Sequence, residues 1–231
     1  FVVEGPRSGG HNAPPRGHLI LDEDGQPIFG PRDDADTDKI VKIGLPFWLA
    51  GGYSTPERLR QAQSTGAVGV QVGTLFALSA ESGFSTVLRQ KLLTELVARR
   101  LVVRTDPLAS PTGFPFKVAS LPDTLSETET YAARPRLCDL GYLRVPYERT
   151  PGIVGYRCPG EPVRTYVRKG GVAAETVGRK CLCNGLMANV GLGQIRRDGY
   201  QEFPLVTLGA DFVGVAEMIT VHPQGWTAAE V

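Results

Sequence analysis

The sequence predicts an α/β fold whose strands lie in a parallel sheet. Over the first hundred residues, short apolar runs alternate with segments of helical period. The apolar runs are nearly continuous, which is typical of strands that are buried on both faces. A doubly wound sheet and a closed (β/α) barrel share this pattern, so periodicity alone leaves both open.

Three buried strands are predicted, at 1–3, 46–50 and 68–72. Each apolar run stops at glycine, and glycine commonly marks the turn that ends a strand. Residues 12–35 are rich in Pro, Gly and Asp and have no period, so we expect a long loop there.

Three helices are predicted in the same region. The first covers 36–43, with Asp36 as its cap. The second begins at a capping box formed by Ser54 and Glu57, and it ends at Gly66. The third covers 81–100, and its apolar residues at helical spacing are Phe84, Val87, Leu88, Leu92 and Leu96.

The character of the chain changes near residue 105. Pro, Arg, Tyr and Gly become frequent, the periodic segments shorten, and all four cysteines follow. We therefore predict two parts, 1–105 with the strand–helix units and 106–231 as a loop-rich region.

Composition argues against several partners. The net charge is +1 without a conspicuous basic patch, which disfavours nucleic acid. The apolar stretches are shorter than the roughly 20 residues that a membrane span needs. The first residues lack the apolar core of a signal peptide, so a cytoplasmic location is expected.

Because the chain opens directly on a buried strand, we expect that the parent protein has further sequence upstream.

Glycine turns follow each predicted strand. They are Ser8-Gly9-Gly10-His11, Ala50-Gly51-Gly52 and Gln71-Val72-Gly73-Thr74. In parallel α/β folds, ligands bind at the carboxyl ends of the strands, and glycine lets the backbone approach a phosphate closely. Each turn taken alone is more often just a tight connection, but three in succession, one of them with a histidine, favour a phosphate site.

These motifs resemble those of the nitronate monooxygenase family. The resemblance rests on FVVEGPRSGGHNAPPRG, PFWLAGGYSTPERLRQAQSTGAVGVQVGTLF and VVRTDPLASPTGFPFK, and in longer members on CDLGYLR, YRCPGEPV and KCLCNGL. It implies a TIM-type (β/α)₈ barrel that binds FMN, of which the present strands are the sixth to eighth. It also implies an oxidoreductase that oxidises nitronates or nitroalkanes with O₂.

By this resemblance, His11 is the catalytic base, a role that suits the pKa of imidazole. The implied cofactor-binding residues are Glu4, Gly9, Gly10, Ala50, Gly51, Gly52, Gln71, Val72, Gly73 and Thr74. Glu4 departs from the family, which often has Gln at this position. Two alternatives stay open, an FMN-dependent enoyl-ACP reductase-like enzyme and an inactive truncated fragment. The expected partners are a small-molecule substrate and O₂, and the oligomeric state is left open.

The cysteines are a candidate metal site. Cys181 and Cys183 form a C-x-C pair, and Cys138 and Cys158 complete a set of four. Four thiolates bind zinc, and the same set binds an iron–sulfur cluster. The alternative is that all four are buried, inert thiols.

Overall fold

A three-stranded parallel sheet carries the amino-terminal part of the chain. The computed structural model describes residues 1–231. The strands are β1 (Val2–Glu4), β2 (Trp48–Ala50) and β3 (Gly69–Gln71), in the spatial order β1-β2-β3. Both pairings are parallel, which confirms the predicted strands and their direction. Three strands do not close a barrel, so the TIM-type closure stays a prediction.

Four helices accompany this sheet: α1 (Thr37–Val41), α2 (Pro56–Ser64), α3 (Thr74–Ala77) and α4 (Thr86–Val97). Asp36 caps α1 as predicted, since its side chain accepts a hydrogen bond from the backbone N–H of Lys39. The predicted cap of α2 was wrong. Thr55, not Ser54, accepts from the Arg58 N–H at 3.3 Å, because the Ser54 hydroxyl accepts instead from a distant backbone N–H.

The predicted long helix at 81–100 was too long. Ser85 caps α4 by accepting from the Leu88 N–H at 3.3 Å, so the residues before it lie outside the helix. Leu88 and Leu92 are buried, as their spacing predicted. Val87 is 79% exposed, because it occupies the opposite face of the helix.

The carboxyl-terminal part contains more regular structure than its loop-rich sequence indicated. Two antiparallel pairs are present, β4 (Val102–Asp106) with β5 (Phe116–Ser120) and β6 (Val145–Thr150) with β7 (Ile153–Arg157). The helices are α5 (Thr128–Ala133), α6 (Val163–Arg168), α7 (Leu182–Ala188) and α8 (Val213–Val221). None of the helices is both long and apolar enough to span a bilayer.

The largest hydrophobic cluster joins residues from both predicted parts of the chain. Trp226 anchors it, 2% exposed, with its indole N–H donating to the Leu75 carbonyl at 3.0 Å. The buried members are Leu75, Leu78, Leu88, Leu92, Leu101, Ala119, Leu121, Val206, Leu208, Val215 and Trp226. The predicted boundary at residue 105 falls within β4, and this cluster packs the two segments against each other. The division into two domains stays a prediction.

Strand β5 separates this cluster from a second one. Successive side chains of a strand point to opposite faces. Ala119 belongs to the first cluster, whereas Phe116 and Val118 belong to the second. The second cluster also includes Tyr131 and Leu205, so β5 ties the carboxyl-terminal helices to the remainder of the fold.

Candidate cofactor site

The three glycine turns meet at one cleft of about 330 Å³ at the carboxyl ends of β1, β2 and β3. All of the cofactor-binding residues implied by the sequence line this cleft: Glu4, Gly9, Gly10, Ala50, Gly51, Gly52, Gln71, Val72, Gly73 and Thr74. Pockets that hold small ligands have volumes of roughly 300–1,000 Å³, so the cleft is of a suitable size.

The register of the sheet explains why these turns converge. Glu4 pairs with Ala50, and Ala50 pairs with Gln71, so the last residues of the three strands form one cross-strand row. Because parallel strands end at the same edge of a sheet, the turns that follow them lie side by side.

Gly51 occupies a position that no other residue can fill without rearrangement. Its φ is +90°, a conformation that side chains disfavour. A Cβ at this position would lie 2.6 Å from the Ser8 Oγ and 2.8 Å from the Ser8 nitrogen. The first and second turns therefore pack backbone against backbone, and glycine is required for that contact.

The cleft contains both signs of charge. Arg7 is the cation in its lining, and Glu4 and Asp211 are the carboxylates. Arg7 Nη1 lies 3.7 Å from Asp211 Oδ2, with the Arg7 side chain 58% exposed and that of Asp211 13% exposed. The guanidinium also lies beside Gly52, whose added Cβ would be 3.5 Å from Nη1. Arg7 is thus placed to attract an anion at the second turn.

His11 follows the cleft-lining Gly10 but does not itself line the cleft. Its Nε2 forms a hydrogen bond of 2.7 Å with the buried Ser110 Oγ, and its ring packs edge-on against Phe116 at 4.8 Å. Partial burial lowers the pKa of His11 from its ordinary value of 6.5. The imidazole is therefore neutral at neutral pH, and its Nδ1 has no hydrogen-bond partner within the protein.

Comparison with known protein families agrees with this geometry. Residues 1–107 match the family model described as nitronate monooxygenase. Over this segment, which is just under half of the chain, the protein is similar to nitronate monooxygenases. No curated protein matches the chain. The match confirms the resemblance that the sequence motifs carried, and it supports an oxidoreductase of this kind.

The family segment supplies most of the residues that line the cleft, and a later segment supplies the remainder. Thr207, Leu208, Gly209 and Asp211 line the cleft, although they lie about a hundred residues beyond the family match. Sequence reasoning missed them, and it also missed Arg7, Ser8, Tyr53, Ser54 and Ala77. The one available signal was the sequence TLGAD, small and polar residues directly after the apolar run PLV.

The four cysteines lie far from the cleft along the chain but converge with one another. Cys138, Cys158, Cys181 and Cys183 line one small cavity of about 10 Å³. The predicted zinc or iron–sulfur site is nevertheless not supported, because no group of His, Cys, Asp or Glu side chains is arranged to hold a metal ion.

The alternative of four buried thiols is met only in part, because Cys158 is buried whereas Cys138, Cys181 and Cys183 are partly exposed. Burial raises the pKa of Cys158 to about 12, and it also raises the pKa of Cys181 and Cys183. Thiols with raised pKa values stay protonated at neutral pH and behave as small apolar side chains.

Proposed function

We propose that this chain is part of an FMN-dependent oxidoreductase of the nitronate monooxygenase kind. The observation that carries the proposal is the convergence of three glycine turns on one cleft, within the segment that matches the family. The proposed substrate is a nitronate or nitroalkane, which is oxidised with O₂ to a carbonyl compound and nitrite.

The residues of the cleft fit the phosphate group of FMN. Gly73 has open space where a Cβ would stand, so the backbone of the third turn is accessible to a ligand. Thr74 Oγ1 accepts a hydrogen bond from the Gly209 N–H at 2.9 Å, which leaves its own proton to donate to a phosphate oxygen. Arg7 adds a positive charge beside Gly52. Together these groups supply donors and charge of the sign that a phosphate requires.

A bound flavin supplies the redox chemistry of this enzyme class. The protein supplies the proton transfer, and His11 is the residue that we assign to it. Its neutral imidazole is a competent base for a proton on the carbon next to a nitro group. In the tautomer that this role requires, Nε2–H donates to Ser110 Oγ, which leaves the lone pair on Nδ1 to accept the proton.

The test has two measurements on the 231-residue chain. The first is FMN binding, which is measured as the quenching of flavin fluorescence when protein is titrated into FMN. The second is O₂ consumption with a nitronate as substrate, compared with reduction of an enoyl thioester in the presence of NAD(P)H as the hydride donor. Saturable FMN binding with nitronate-dependent O₂ consumption supports the proposal. Enoyl reduction without O₂ consumption would favour the reductase alternative, and failure to bind FMN would favour the inactive truncated fragment.

A further inference from the structure

We propose that the segment 207–211, which lies outside the family match, is a binding wall of the cofactor cleft and positions all three glycine turns. The inference rests on the proposed function, since it takes the phosphate-bearing flavin as the ligand. It extends that function by assigning a role to the carboxyl-terminal part of the chain, with Thr207 as the principal positioning residue.

The segment is bonded to the first turn through its backbone and a hydroxyl. The Gly10 N–H donates to Thr207 Oγ1 at 2.8 Å, and the Ala210 N–H donates to the Arg7 carbonyl at 3.0 Å. Between these bonds the two backbones touch, because a Cβ at Gly9 would lie 2.9 Å from the Leu208 carbonyl carbon. A shift of the segment would therefore move the turn that precedes His11.

The third turn is held by the same segment. The Gly209 N–H donates to Thr74 Oγ1, which uses one lone pair of the hydroxyl and directs its proton elsewhere. Thr74 and Gly209 both line the cleft, so the hydroxyl proton of Thr74 lies where a bound ligand could accept it. The bond from Gly209 thus leaves the Thr74 proton and one lone pair of Oγ1 for the ligand.

The second turn is reached through Asp211. Its Oδ2 lies 3.0 Å from where a Cβ of Gly52 would stand and 3.7 Å from Arg7 Nη1. Its Oδ1 accepts from the Val213 N–H at 3.0 Å, which ties the carboxylate to the start of α8. Asp211 thus connects Arg7, the cation beside Gly52, to the start of α8.

One continuous segment therefore contacts every element that we assign to the phosphate. Preorganised donors bind a ligand more tightly than donors that must be ordered on binding. The role of Thr207 is indirect, since it acts through Gly10, and its test must separate positioning from stability.

The experiment compares Thr207→Val with Thr207→Ser in the 231-residue chain. Valine removes the acceptor of the Gly10 N–H while keeping the shape, whereas serine keeps the hydroxyl. Thr220→Val is the control, because the Thr220 hydroxyl bonds only the Ala216 carbonyl within α8, away from the cleft. The Kd for FMN and the thermal unfolding midpoint are measured for each.

We expect Thr207→Val to weaken FMN binding about tenfold, since the Gly10 N–H loses its partner. Thr207→Ser should bind within about twofold of the unchanged chain, and Thr220→Val should bind equally well. Each Kd is calculated with the concentration of folded protein, so that a loss of stability alone is not mistaken for a loss of affinity.

The outcomes separate this inference from the function on which it rests. If the unchanged chain binds FMN and Thr207→Val binds it as tightly, the wall has no role in cofactor binding and the proposed function stands. If serine fails to restore the affinity, the hydroxyl is not the positioning group and the inference is wrong. If the unchanged chain binds no FMN, the proposed function fails and the cofactor role of the wall fails with it.

Discussion

Gln71 Nε2 donates a hydrogen bond of 3.4 Å to Glu4 Oε1 across the short side chain of Ala50. The three residues form the last cross-strand row of the sheet and line the cleft. Ala50 is 3% exposed, and its methyl group is small enough for its two neighbours to meet above it. The amide of Gln71 thereby fixes a carboxylate at the edge of a site that we assign to an anionic cofactor.

Replacing that carboxylate should improve cofactor binding. Glu4→Gln removes a negative charge that repels the phosphate, and its amide oxygen still accepts from Gln71. We expect the Kd for FMN to fall about two- to fivefold at low ionic strength and the gain to shrink at high salt. Glu217→Gln on α8 is the matched control, because Glu217 is exposed and does not line the cleft. Weaker binding by Glu4→Gln would show that the carboxylate accepts a hydrogen bond from the ligand instead.

A side chain at Gly51 should abolish the cleft. Gly51→Ala places a methyl group 2.6 Å from Ser8 Oγ and forces the first and second turns apart. We expect FMN binding to fall by more than about tenfold. Gly44→Ala is the control, since Gly44 also has a positive φ, +74°, but has nothing within 4 Å of the new Cβ. Both variants bear the backbone strain of about 1 kcal/mol, so equal FMN affinities would contradict the packing argument.

His11 should affect turnover and leave cofactor binding intact. We expect His11→Gln to lower kcat/KM by about 10²–10⁴-fold, the usual contribution of a general base, with the Kd for FMN unchanged because the side chain does not line the cleft. The control is His18→Gln in the exposed loop. Loss of FMN binding in His11→Gln would assign the residue a structural role.

The pH dependence of turnover has a definite sign. The neutral form of His11 is the active one, and burial lowers its pKa below 6.5. Activity should therefore fall on the acid side as the imidazole becomes protonated, and the midpoint of that decline should lie below pH 6.5. A decline that begins well above pH 7 would require another group as the base.

Lys117 should destabilise the folded chain near neutral pH. It is 2% exposed, its ammonium donates only to Thr105 Oγ1, and burial lowers its pKa from 10.5 to about 8. Lys117→Met should raise the free energy of unfolding at pH 7 by about 2 kcal/mol, the desolvation cost less one hydrogen bond.

The pH dependence of that difference follows from linkage. Between about pH 8 and 10.5 the unfolded chain keeps the Lys117 proton while the folded chain loses it, so the stability of the unchanged protein rises with pH. Lys117→Met lacks this increment, and the two unfolding free energies should approach each other by pH 10.5. Urea denaturation of both chains at pH 7 and pH 10 measures the difference between their free energies of unfolding. The same difference at both pH values would contradict the lowered pKa of Lys117.

For the cysteines, spacing along the sequence was not sufficient to predict metal binding. The sequence grouped Cys138, Cys158, Cys181 and Cys183 correctly, since they line one cavity. Their chemistry was not decided by that grouping, because metal binding also depends on how the sulfur atoms are directed. The structure gives no metal-binding arrangement, and burial raises the pKa of Cys158, Cys181 and Cys183, which keeps these three thiols protonated.

The sequence by itself determined the three parallel strands and the glycine turns that follow them. These features depend on short-range causes: apolar runs form buried strands, and glycine is favoured where φ is positive or where two backbones touch. The order of the turns in the chain sufficed to place them together, because parallel strands end at one edge. Only the tertiary structure decided that 207–211 covers the same cleft, that Ser110 holds His11, and that Lys117 is buried. Each of these contacts joins residues far apart in the chain, and long-range packing leaves no periodic signal in the residues that make it.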